Sequence, residues 1–241
     1  MNDRVGISWR PELAAAIMAN LDRIDALEAM ADDWLDVPVA EMRALRALCA
    51  TVPVTLHGVS LGLASSEPVA RTRLDAFARL VDAVHPAGWS EHLSFVRAGG
   101  IEIGHLAAPP RTAGTAASAA ANLALATTVV GMAPDAENIA TLIDPPGSDR
   151  DEAQWIGEAL APTRCGLLLD LHNLHANAVN FGGDARATLE RLPLDRLASV
   201  HLAGGRWNGR LVDDHLHAVP DEVFALLERV GELAPRPITV I

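Results

Sequence analysis

Nine histidines are distributed along the 241 residues, and several stand beside a carboxylate or an amide where an apolar run ends. The stretch "LLLDLHNLHAN" (167–177) is the plainest case, with Asp170, His172, Asn173 and His175 following three leucines. Other runs end in the same way. His57 closes "VPVTLHGV", Glu91 and His92 lie in "GWSEHLSF", Glu137 and Asn138 in "PDAENI", and His201 in "LASVHLAG". The segment "LVDDHLHAVP" adds Asp213, Asp214, His215 and His217. Imidazoles and carboxylates in combination suit iron, zinc or manganese, and the absence of Cys from the set argues against a thiolate site.

Local spacing sharpens this reading. If "DDHLH" runs extended, Asp213, His215 and His217 point to one side, because strand side chains repeat every two residues. By the same rule Asp170 and His172 share a face, and Asn173 needs the following turn to redirect it. There are more donors than one ion requires, so two or more ions are expected, with Glu137 or Asp170 bridging neighbours. A lone histidine in an apolar strand, such as His57 or His201, is more often a hydrogen-bonded core residue than a ligand. The repetition at successive run ends is what points to a site. His172 and His217 are open to a role as partners that orient ligands, and Glu28 reads equally as such a partner or as a structural residue. His85 and His105 read as loop or surface residues, and His175 as a cap or solvated group.

Groups so far apart in sequence meet only if the fold gathers the ends of the runs. Eight β-like runs supply them: 4–9, 26–31, 52–59, 88–95, 134–139, 165–172, 197–204 and 237–241. Helical patterns lie between. Pro11 suits a first helical position, and "VARTRLDAFARLVDAV" places Val69, Leu74, Phe77, Leu80, Val81 and Val84 on one apolar face. "SDRDEAQWIGEAL" offers Ser148 as its cap. Alternating strands and helices indicate parallel βαβ units, and eight of them a (β/α)₈ TIM barrel in one domain over residues 1–241. A doubly wound sheet is the alternative, but no glycine-rich phosphate fingerprint follows the first strand. In the barrel, active sites form where strands end and βα loops begin.

Bulk properties agree. Half the residues are hydrophobic and the formal net charge is −12, which argues against nucleic acid as a partner. Two cysteines make no disulfide framework and fit a reducing cytoplasm. No run reaches the roughly 18 apolar residues of a membrane span; the Ala-rich stretch 112–130 reads as a packed helix. Cys49 and Cys165 read as buried thiols, and the five tryptophans as packing residues, with Trp34 and Trp207 nearest the mouth.

Taken together and in order, "GISWRPE", "LHGVSLGLASSEP", "SEHLSF", "CGLLLDLHNLHANAVNFG", "LPLDRLASVHLAGG" and "LVDDHLHAVP" resemble the multinuclear non-haem iron-dependent oxidative enzymes, among them the methanobactin-biosynthesis iron oxygenase. The resemblance runs from residue 5 to residue 241. It implies a xylose-isomerase-like barrel with two or three iron ions at its mouth and dioxygen as co-substrate. It also implies a ribosomally made precursor peptide as substrate, commonly oxidised at cysteine, and a small partner protein that recognises the leader. Carried over by motif, the metal ligands are His57, His92, Glu137, Asp170, Asn173, His201, Asp213 and His215. There are two departures. "PDAENI" is less hydrophobic than the family's approach to its Glu-Asn pair, and the family's glutamate at the end of strand eight would fall just after Ile241. The expectation is that this chain is cut there, short of that ligand and a final helix.

Three other classes share such residues. A divalent-metal sugar isomerase that relies on lysine is excluded, because the chain contains none. A metal phosphodiesterase acting on DNA is disfavoured by charge. A metal-free binding module differs from all of these in metal content.

Overall fold

A computed structural model describes residues 2–241. Eight parallel strands close into a barrel: β1 (Arg4–Ser8), β2 (Ala26–Met30), β3 (Val54–Gly58), β4 (Gly88–His92), β5 (Asp135–Glu137), β6 (Gly166–Asp170), β7 (Leu197–His201) and β8 (Thr239–Val240). Each strand neighbours the next in sequence. The ring shuts through β8, which pairs with β7 by Thr239↔Ser199 and with β1 by Arg4↔Thr239. The sequence reading of a (β/α)₈ barrel is therefore correct, and the doubly wound alternative is not.

The helices ring the barrel because their apolar faces need cover. Helix α3 (Arg71–Val84) buries Leu74, Phe77, Leu80, Val81 and Val84, while Val69 is buried just ahead of it. Outward-facing strand residues such as Leu56, Leu167 and Leu169 lie wholly buried in the same apolar core. Helix α4 (Ala113–Val130) is the one described helix long and apolar enough to cross a membrane by length and composition. It packs between α3 and α5 (Glu152–Leu160), and its buried Asn122 ties down the loop after β3 by accepting from Val69 N and donating to Ser65 O.

Several local expectations are corrected. The strand read over 165–172 stops at Asp170, since Asp170 accepts from Asn173 N and caps helix α6 (Leu171–Phe181). His172 is thus helical and does not share a strand face with Asp170. Ser148 does not cap α5; Asp151 does, accepting from Gln154 N, while Ser148 Oγ accepts from Arg111 N. Phe95 leaves β4 and begins a hairpin of Phe95–Ala98 with Ile101–Ala107. A second hairpin, Gly205–Trp207 with Leu211–Asp213, follows β7.

Candidate metal centre

Strand register assembles the site. Neighbouring residues across parallel strands point the same way, and the pairs here are His57↔Ser90, His92↔Glu137, Asp170↔His201 and Ser8↔Glu28. His57, His92, Glu137, Asp170 and His201 lie at the carboxyl ends of their strands, and Ser90 and Glu28 midway along theirs. The first turn of α6 adds Asn173, and the second hairpin brings Asp213 and His215 over the rim. All eight residues singled out in the sequence meet at one mouth.

They form three overlapping groups: His57, His92 and Glu137; Glu137, Asp170 and His201; Asp170, Asp213 and His215. Within each group one donor atom per residue lies within 4.8 Å of the others. Glu137 belongs to the first two and Asp170 to the last two. Asn173 stands at the wall, donating from its amide nitrogen to Asn138 O, while its buried Oδ1 has no hydrogen-bond partner.

The hydrogen bonds fix which ring nitrogens face inward. His92 Nδ1 lies 3.0 Å from Gly58 O, a pure acceptor, so Nδ1 carries a proton. Its Nε2 is left 3.2 Å from Glu137 Oε2. His201 Nε2 donates to Glu28 Oε2 at 2.7 Å, leaving Nδ1 facing Glu137 Oε1 at 3.3 Å and Asp170 Oδ2 at 4.0 Å. His57 Nδ1 meets Ser90 Oγ at 2.8 Å, and its Nε2 also lies 3.2 Å from Glu137 Oε2. Although these distances are short, Glu137 Oε2, Asp170 Oδ2 and His201 Nδ1 make no aligned hydrogen bond and are buried. Imidazole lone pairs aimed at carboxylate oxygens repel unless a proton or a metal cation lies between them.

Without a cation, protons must fill that role. Burial alone would raise the Glu137 carboxyl, but His92, His57 and His201 hold it well below the usual carboxylate range. Burial would lower His92, yet Glu137 and Glu91 carry it up to about 9. His201 is raised well above its ordinary value by Glu28 and Glu137 against the same burial. For His57 burial wins and pushes it down to about 4. Asp170 is pushed up to about 7, first by burial and then by Glu137.

At the rim the geometry is looser. Asp213 Oδ2 lies 2.9 Å from His215 Nε2, and Asp213 Oδ1 lies 3.1 Å from His172 Nδ1. The run "DDHLH" does not continue extended: the strand ends at Asp213 and His215 takes a left-handed backbone (φ 54°). That turn brings His215 to Asp213 and sends His217 to Asp214. His217 therefore does not join the group as the two-residue repeat predicted. Glu28 and His172 do stand beside ligand candidates as orienting partners. His85 and His105 are exposed, as expected, and Trp207 is exposed at its hairpin instead of lining the mouth.

Three contributors carried no assigned role in the sequence. Ser90 orients His57. Glu91 accepts from the Leu61 and His92 amides. Asn138 exchanges two hydrogen bonds with the Asp170 backbone. Their only signal is position: Ser90 stands two residues before His92, Glu91 directly before it, and Asn138 directly after Glu137.

The decisive comparison is with protein families. The model of the RiPP precursor modification enzymes MbnB/TglH/ChrH (RiPP: ribosomally synthesised and post-translationally modified peptide) matches residues 4–241. This chain belongs to that family. A UPF0276 protein of Streptomyces avermitilis is 37% identical over 239 residues, covering 96% of this chain and 48% of its own length. This chain thus spans about half the length of that relative. A UPF0276 protein of Chromobacterium violaceum is 35% identical, over 81% of this chain and 72% of its own. Among solved structures, endonuclease IV from Thermus thermophilus superposes with a TM-score of 0.62 at 20% identity, covering 98% of this chain and 91% of that one. D-psicose 3-epimerase from Clostridium cellulolyticum gives 0.61 at 12%, over 98% and 83%. A xylose isomerase-like TIM barrel/4-hydroxyphenylpyruvate dioxygenase fusion gives 0.62 at 17%, over all of this chain and 39% of that one. These three share the fold, and this MbnB/TglH/ChrH family member has a xylose-isomerase-like barrel.

Proposed function

We propose that this chain, as one domain over residues 1–241, is a multinuclear iron-dependent oxidase or oxygenase. In this reading it uses dioxygen to modify a ribosomally made precursor peptide, at cysteine. The observation that carries the reading is the continuous row of donors in which Glu137 and Asp170 are each shared between adjacent groups. Shared carboxylates hold two cations close together against their repulsion. The donor set fits the group: four imidazoles, three carboxylates and an amide oxygen, with lone pairs already turned inward and no thiolate.

His57, His92 and Glu137 would hold one ion. Glu137, Asp170 and His201 would hold a second, and Asp170, Asn173, Asp213 and His215 a third. Iron in such surroundings supplies open positions for dioxygen and for a substrate thiolate. The chain's own residues do the rest. Glu28 accepts from His201 Nε2 and keeps Nδ1 inward, while the Gly58 carbonyl and Ser90 engage Nδ1 of His92 and His57 and keep Nε2 inward. The residues of the two inner groups are buried in the barrel mouth, none more than 8% exposed. A cavity of about 720 Å³ opens above them and admits a peptide side chain. A leader-recognition partner protein and a cytoplasmic setting belong to the same reading.

The test is elemental analysis of anaerobically purified protein beside Asp170→Ala, followed by oxygen consumption with a cysteine peptide. Two or three irons per chain, mostly lost in the variant without unfolding, and thiol-dependent oxygen uptake are expected. Zinc or manganese without oxygen uptake would move the assignment to the hydrolase or isomerase class. Absence of any bound metal would leave a binding module.

A further inference from the structure

The cavity above the donor row has an acidic wall. Glu12, Glu28 and Asp33 line it along with the ligand carboxylates, and Arg10 is the one arginine that does so among the described residues. Among those residues its guanidinium has no carboxylate partner and makes no hydrogen bond, although Glu12 is two residues away. Three other arginines beside βα loops are engaged: Arg97 by Glu102 and the Ser60 and Leu61 carbonyls, Arg111 by Asp144, and Arg206 by Asp214 at 3.6 Å.

The backbone of Arg10 is tightly set, while its side chain is exposed. It precedes Pro11, which disfavours helical backbone at the preceding residue, and it is extended with φ −132° and ψ 135°. Leu13 N donates to its carbonyl at 2.9 Å. Its neighbour Trp9 donates from the backbone to Glu28 O at 2.6 Å, and the Glu28 carboxylate grips His201 at 2.7 Å. The backbone of Arg10 is therefore registered to the inner donor group through Trp9 and Glu28.

We propose that Arg10 is a carboxylate-binding subsite of the substrate pocket. It takes an anionic group of the substrate while the substrate's metal-binding atom reaches the donor row. A guanidinium presents a rigid fork that matches a carboxylate in a bidentate pair, and no other guanidinium lines the cavity among the described residues. The substrate class is then a peptide in which a carboxylate lies next to the residue modified. That carboxylate is either the chain's own C-terminus or a neighbouring acidic side chain. The inference rests on the peptide-thiol reading above and narrows it.

The probes are N-acetylcysteine, N-acetylcysteinamide, N-acetyl-aspartyl-cysteinamide and N-acetylalanine. They are titrated anaerobically into the iron-loaded protein, Arg10→Gln and Arg10→Lys, and followed by calorimetry and visible absorption. N-acetylcysteine is expected to bind about tenfold tighter than its amide, the scale of a charge-assisted hydrogen bond. That gap vanishes in Arg10→Gln and partly persists in Arg10→Lys. Tight binding of the aspartyl peptide assigns the group to a neighbouring side chain, and tight binding of the free acid alone assigns it to a C-terminus; both support the subsite. Equal binding of acid and amide by the unaltered protein, or a gap that survives Arg10→Gln, overturns the subsite and leaves the thiol reading standing. Binding of N-acetylalanine that depends on Arg10, without binding of any thiol, overturns the thiol reading and keeps the subsite. If no probe binds, both fall.

Discussion

Glu137 faces three imidazoles, and its surroundings make the empty and metal-filled proteins respond differently to pH. His92 is raised to about 9 in the folded chain, above the roughly 6.5 of an unfolded histidine. A raised folded value means that its contribution to stability is complete below about 6.5 and is lost as pH rises through about 9. Asp170, lifted to about 7, acts in the same sense at lower pH. The metal-free protein should therefore melt at progressively lower temperature between about pH 6.5 and 9. A divalent ion replaces the proton between His92 and Glu137, so the metal-loaded protein should show a much flatter profile. Thermal scans of both forms across that range check this; a flat profile for the metal-free form would remove the argument. Most of the ligand candidates could be read at this scale, because a strand end is marked by its apolar run. The orienting residues could not. Ser90 is one of many serines until the register of β3 against β4 sets it beside His57.

At the scale of elements, the hairpin after β7 holds the outer group in place, and Gly205 is its anchor. A Cβ at Gly205 would press against the Val212 carbonyl and lie within 2.5 Å of the His172 ring. Gly205→Ala should push the hairpin outward, misplace Asp213 and His215, and cost about 1–3 kcal/mol, as overpacking does. The inner groups sit on barrel strands and should keep their ions. Metal counting would then show the loss of about one ion, the outer one, and simultaneous loss of all would contradict this division of labour. The sequence was least informative here. A two-residue repeat places His217 with Asp213 and His215, but a single left-handed residue at His215 reverses the chain. The end of β6 was hidden for a related reason. Asp170 is at once the last strand residue and the cap of α6, so an apolar pattern running through "LLLDLH" conceals the change of period.

Across the whole molecule, scaffold and site occupy opposite faces of the same strands. Leu56 lies under the helices while its neighbour His57 points into the barrel, and Leu169 and Asp170 divide in the same way. Leu56→Ala should cost about 2–5 kcal/mol in denaturant unfolding, yet the folded variant should bind its full complement of metal. The alternation was legible because the inner strands bury both faces and each helix one, although β1 leaves Val5 65% exposed. Closure was also implied, since eight such units leave no edge unpaired, but how β8 joins β1 to β7 needed coordinates.

The donor row runs from a deeply buried end to a more exposed one. His57, Glu137 and Asp170 are buried, whereas His215 is nearly half exposed. Ions held along it would then differ in how readily they trade with the medium. Isotopically labelled iron offered to the loaded protein should enter in two kinetic phases, a quick one at the rim and a slow one limited by opening of the barrel. A preparation washed with a mild chelator would lose its outermost ion first. The residence time of each ion would thus be set by its depth in the protein more than by its ligands' chemistry.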